Sequence, residues 1–200
     1  MRHVVRSTLL LSWFACVVQG KENYSLIEAV LNDDPEGVTK ALKRGDNINE
    51  IGQGGQTPLM TATLRGSARA VKVLLAAGAD TTIPENDGYT PMHGAGFQGR
   101  AEVARLLLAH GLDPNDRHRD GYTPLHRACW GRQQRHTEMV RVLLEAGVPP
   151  DQDSHAGPWG VDTNGDATGN KSPLEMTQRE QTKAVIREFL KKQEASKVEL

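Results

Sequence analysis

Short apolar blocks end eighteen residues after a Thr or Ser: Leu74-Leu75 after Thr57, Leu107-Leu108 after Thr90, Phe189-Leu190 after Ser172. Each of those polar residues stands before a proline (Pro58, Pro91, Pro173), as Thr123 stands before Pro124. Hydroxyls at Thr90 and Thr123 suit an N-cap, where they would accept from a free helix-start N–H. The proline suits the first helical position, whose N–H needs no partner. Gly78 and Gly111, three residues past Leu75 and Leu108, supply left-handed stops for a second helix. Asp87-Gly88 and Asp120-Gly121 then mark tight turns that need positive φ. The pattern predicts helix, turn, helix and a protruding hairpin, unit after unit.

The units are copies. Gly88-Tyr89-Thr90-Pro91-Met92-His93-Gly94-Ala95 recurs thirty-three residues later as Gly121-Tyr122-Thr123-Pro124-Leu125-His126-Arg127-Ala128. Thirty-three residues earlier stands Gly55-Gln56-Thr57-Pro58-Leu59-Met60-Thr61-Ala62, and a worn copy, Asn170-Lys171-Ser172-Pro173-Leu174-Glu175-Met176-Thr177, opens the last segment. A thirty-three-residue period carrying T-P-L-H-x-A resembles the ankyrin repeat family. The resemblance implies an all-α solenoid of helix-turn-helix units joined by short β-hairpin connections. One such unit cannot bury its own apolar stripe and must stack on its copies.

On this reading, residues 21–50 form an N-terminal capping repeat, in which Leu26, Ala29, Leu42 and Gly45 keep the period but Thr-Pro is missing. Repeats follow at 51–83, 84–116 and 117–152; the last carries three extra residues between Trp130 and Thr137, which should lengthen its inter-helix turn. Residues 153–169 are a Gly-rich loop insertion that breaks the period, and 170–200 form a C-terminal capping repeat and tail. Residues 1–20 stand apart. Arg2, His3 and Arg6 precede an apolar run from Leu9 to Val18 and then Gln19-Gly20, the layout of a secretory signal peptide and too short to span a bilayer.

Composition agrees with narrow layers of Ala and Leu. The 200 residues are 38% apolar, with three each of Trp, Tyr and Phe, and the net charge of −1 argues against a nucleic-acid binder. The terminal Lys197-Val198-Glu199-Leu200 is similar to the Lys-Asp-Glu-Leu tail that retains proteins in the endoplasmic reticulum, with Val198 as the departure. Asn23-Tyr24-Ser25 and Asn170-Lys171-Ser172 are glycosylation sequons, the second weakened by Pro173. The two ends together predict the endoplasmic reticulum lumen or secretion. The alternative is a cytosolic ankyrin adaptor with an uncleaved apolar N-terminus.

Little in the chain suggests catalysis, and no cofactor is expected. His126, Cys129 and His136 could be imagined as a metal or enzymatic set, but structural zinc needs four ligands with paired spacing. Asp162-Thr163-Asn164-Gly165-Asp166 starts like a calcium loop, yet Ala167 stands where that loop needs Gly and Pro173 where it needs Glu. The resemblance implies a structural role for His93 and His126, bonding backbone between neighbouring turns. It also implies a monomeric, non-catalytic scaffold that binds a protein partner along its concave face and hairpin tips. Carried over residue by residue, the contact positions are Leu64, Arg65, Asn86, Tyr89, Phe97, Gln98, Arg119, Tyr122, Trp130 and Arg132. Leu64, Phe97 and Trp130 should form one row and Tyr89 and Tyr122 a second, since helices pack about 10 Å apart. Arginines crowd the fourth repeat, which would draw an acidic segment of the partner to that end.

Overall fold

The computed structural model describes residues 25–151 and 171–198, with side chains through Ser196. The expected signal peptide, the loop at 153–169, both sequon asparagines, the Asp162–Asp166 stretch and the Lys197–Leu200 side chains lie outside the described residues. Five helix pairs follow in order: α1 Leu26–Leu31 and α2 Pro35–Arg44, α3 Pro58–Arg65 and α4 Ala68–Ala76, α5 Pro91–Gln98 and α6 Ala101–Ala109, α7 Pro124–Cys129 and α8 Gln134–Glu145, α9 Pro173–Met176 and α10 Glu180–Val198. First helices stack on first helices and second on second, giving two parallel layers. The regular elements among the described residues are all helical, with no strand among them.

The period is visible in the core. Leu59, Met92 and Leu125 of the first helices are buried at thirty-three-residue steps. Leu74, Leu107 and Leu143 do the same in the second layer, the last step lengthened by the three inserted residues. The turns inside the second and third pairs are two residues long and rest on Gly66 and Gly99, whose φ of 81° and 64° suit glycine. In the fourth pair the turn grows to residues 130–133, and α8 is twelve residues long where α4 and α6 are nine.

Each hairpin is closed by one main-chain bond around a tight turn: Gly52 N–H to Gln56 O at 2.9 Å, Glu85 N–H to Tyr89 O at 3.1 Å, His118 N–H to Tyr122 O at 3.0 Å. One bond is too short a ladder to make a strand. Tips touch in turn, Asn86 N–H donating to Gly54 O at 3.0 Å.

The recurring Thr-Pro start works differently from one repeat to the next. Thr57 accepts from Met60 N–H at 3.2 Å, as an N-cap should. Where a histidine stands three residues on, the hydroxyl turns to the ring: Thr90 to His93 Nδ1 at 2.9 Å and Thr123 to His126 Nδ1 at 2.7 Å. Thr90 also donates to Asp116 at 2.9 Å, so its expected helix-start bond is replaced by a side-chain bridge. A methionine at position 60 offers no such partner, which leaves the Thr57 hydroxyl to the backbone.

Candidate functional site

Between the hairpins at 52–56 and 85–89 and the first helices below them lies a pocket of about 310 Å³. Met60, Leu64, Tyr89 and Phe97 supply apolar walls, and Gln56, Glu85, Asp87 and Gln98 stand around them. Gly94 makes the room. A Cβ there would lie 3.2 Å from both Leu64 Cδ2 and Met60 Sδ. Phe97 is 55% exposed, unusual for a ring in a fold with so few aromatics.

One repeat on, the position equivalent to Gly94 is Arg127, and its side chain is buried. Its guanidinium carbon lies 4.8 Å from the Tyr89 ring centre, 5.1 Å from Tyr122 and 4.5 Å from Trp130. Tyr122 and Trp130 meet edge to face at 4.9 Å. Arg127 pairs with the Asp120 carboxylate and donates to the Tyr89 hydroxyl at 2.9 Å. The Tyr89 hydroxyl in turn donates to Asp120 at 3.3 Å, and its ring stacks on His118 at 4.1 Å. His118 spans the tips, with Nε2 at 2.9 Å from Asp87 O and Nδ1 at 2.8 Å from Asp120 Oδ1.

These contacts tune the site's acids and bases. Burial raises the Asp120 carboxyl, but His118, Arg127 and the Tyr122 amide outweigh it and leave it below its ordinary value. Burial pushes the Tyr89 phenol up. Burial pushes His93 down, opposed by Asp116; the Tyr122 backbone of the next repeat also opposes it, without closing a well-formed bond to Nε2. His118 adds a further tie between neighbouring turns beside the one His93 makes toward Tyr122.

A third device runs along the turns between paired helices. Arg100 Nε donates to Leu64 O at 3.1 Å, His136 Nε2 lies 3.1 Å from Phe97 O, and Arg179 donates to Arg132 O at 3.0 Å. Arg100 and His136 occupy the same place in their repeats once the insertion is counted. Each reaches back to a carbonyl at the end of the preceding first helix, where orphan acceptors need partners.

Two family models match: ankyrin repeats in three copies over residues 26–118, and ankyrin repeats in many copies over residues 93–144. Together they take in 26–144, more than half of the chain. The chain belongs to the ankyrin-repeat family. No curated protein matches it. Ankyrin repeats are generally protein–protein interaction modules and typically non-catalytic. Among the described residues no helix is long and apolar enough to cross a membrane.

Within this ankyrin stack the ten sequence-derived contact positions separate. Leu64, Tyr89, Phe97 and Gln98 share the pocket, and Tyr122 and Trp130 join it through Arg127, so the two expected rows meet at one guanidinium. Arg132 and Trp130 instead edge a second, polar pocket of about 500 Å³ with Met176 and Arg179. Arg65, Asn86 and Arg119 are exposed, and Asn86 packs against Gly55 of the preceding tip. The imagined metal set does not converge. Cys129 is buried with its thiol pushed up by burial, His126 is held by Thr123 and His136 faces Phe97 O. Among the described residues no three His, Cys, Asp or Glu side chains are grouped to hold an ion.

Arg127 is the residue that pattern reading missed. A usable signal was present: Thr61 and Gly94 fill the same slot, so a long cation there, three residues before Trp130, has no room except among the rings.

Proposed function

We propose that the chain is a non-catalytic module that binds another protein along the groove between its hairpins and first helices. The observation that carries this reading is the exposure of Phe97 and Trp130, at 55% and 41%, one period apart on the same face. Neither ring is needed by the inter-repeat core, and large exposed rings beside a shaped apolar pocket are the residue types that dominate binding energy. Tyr89 and Tyr122 extend the patch, while Leu64 and Gln98 belong to its wall. Exposed Arg119 and Arg132 stand at its margin. The secretory layout of residues 1–20 and the Lys197–Leu200 tail support a setting in the secretory pathway, where a tag inserted upstream of Lys197 should report luminal protein with residue 1 removed.

The binding test begins with affinity capture on the full chain and mass spectrometry to name the partner. Titration calorimetry with Trp130→Ala should then show affinity weakened by about 2 kcal/mol or more. Folding should suffer less, about 0.5–1.5 kcal/mol, the worth of its contacts to Tyr122 and Arg127. A variant that unfolds while its folded fraction binds as before would mean that Trp130 is packing and the binding face lies elsewhere.

A further inference from the structure

The arginines at the helix–helix turns form a ridge that has no counter-charge among the described residues. Arg65 ends α3, Arg100 lies against Gly66 and Arg135 against Gly99, the two stems each 2.9 Å from where a glycine Cβ would be. Arg132 and Arg179 continue the line into the fourth and fifth pairs. Among the described residues, none of the five makes an ion pair, although Arg44, Arg69, Arg105, Arg127, Arg141 and Arg187 all do. Crowding is felt: burial, then Arg135 and Arg65, push the Arg100 guanidinium below its ordinary range. Arg100 and Arg179 bond neutral carbonyls only, and like charges gathered without a counter-charge are a cost that an anionic ligand would relieve.

The opposite side of the groove carries Glu85 and Asp87, with Asp120 beyond them. A continuous polyanion such as a nucleic acid would meet those carboxylates, whereas a peptide can keep its acids on one edge. We propose that the ridge of Arg65, Arg100 and Arg135 docks an extended acidic segment of a protein partner, its carboxylates on the helix-turn side and an apolar side chain in the pocket between Leu64 and Phe97. This rests on the groove reading above and adds the partner's chemistry and orientation. Arg65, Arg100 and Arg135 come one from each of three successive repeats, and successive repeats pack about 10 Å apart. An extended chain rises about 3.3 Å per residue, so acids at every third position match that step.

The test uses fluorescence anisotropy on the full chain with labelled twelve-residue probes. One has Glu at every third position among Ser and Leu, a second has Lys in place of Glu, and a third is a twelve-nucleotide single-stranded DNA. The Glu probe should bind and weaken with salt, and the Lys probe should not bind. Arg65→Gln with Arg135→Gln should weaken the Glu probe about tenfold or more and flatten its salt dependence. Both side chains are exposed and make no hydrogen bond among the described residues, so the double variant should melt as the wild type does. An unbound Glu probe, a double variant that binds as before, or DNA binding more tightly than the Glu probe would each overturn the ridge. If Phe97→Ala and Trp130→Ala weaken the captured partner while the arginine variant does not, the ridge falls and the aromatic groove stands. If only the arginine variant loses the captured partner, the ridge stands and the aromatic groove falls.

Discussion

Gly94 in the third repeat and Arg127 in the fourth occupy the same place, one period apart and directly after the motif histidine. Around both, the framework is alike: a Thr–His pair at the helix start, a buried Met92 or Leu125, and a tyrosine before the threonine. At Gly94 the missing side chain leaves a pocket between Leu64, Tyr89 and Phe97. At Arg127 the side chain fills that space itself, inside a cage of Tyr89, Tyr122 and Trp130. The stack therefore does not decide what this slot holds. One residue makes it a receptor in one repeat and a self-contained joint in the next.

The largest expected effect sets the framework apart from the slot. Leu107→Ala in α6 removes a fully buried side chain and should cost roughly 2–5 kcal/mol in denaturant unfolding, with no direct effect on the groove. Arg127→Ala should come next, at about 2–3 kcal/mol, below the usual loss for a broken buried pair because Asp120 is a third exposed. It would also turn the fourth slot into an open one like the third. Stability unchanged in that variant would mean the cage is ornament and the comparison is wrong. Acid tests the two histidines beneath these repeats. Burial lowers His93 and His136 in the fold, so the unfolded chain takes up protons first, from the ordinary value of 6.5 downward. Their contribution is complete above that pH and is lost as pH falls toward the lower folded values; melting temperature should drop between pH 7 and 5, and His93→Gln should flatten the drop. The smallest effect belongs to Gly94→Ala. Its Cβ would press on the flexible ends of Leu64 and Met60, offset by a helix gain of about 0.5–1 kcal/mol. Calorimetry should find stability unchanged or slightly higher, and a partner that fills the pocket should bind less well.

What could be read from the chain alone follows from what repeats. Thr-Pro starts, the leucine steps and the glycine stops recur, and they place every first helix from α3 to α7. The exposed rings of Phe97 and Trp130 were legible too, as bulky residues at places the period does not require. Two things were not. The bonding of Thr90 depends on Asp116, twenty-six residues away, and local spacing carries no trace of that. The meeting of Tyr89, Tyr122 and Trp130 depends on a side chain long enough to cross between repeats, a matter of three-dimensional reach rather than of pattern.

Arg100, His136 and Arg179 all point the same way along the stack, each toward the pair that precedes it in the chain. A ribosome delivers those pairs in that same order. Every emerging unit then finds its acceptor carbonyl already in place, and the donor it brings closes the carbonyl that the preceding unit left open. Assembly can keep pace with synthesis, one unit at a time, and a stalled chain would expose only the growing end.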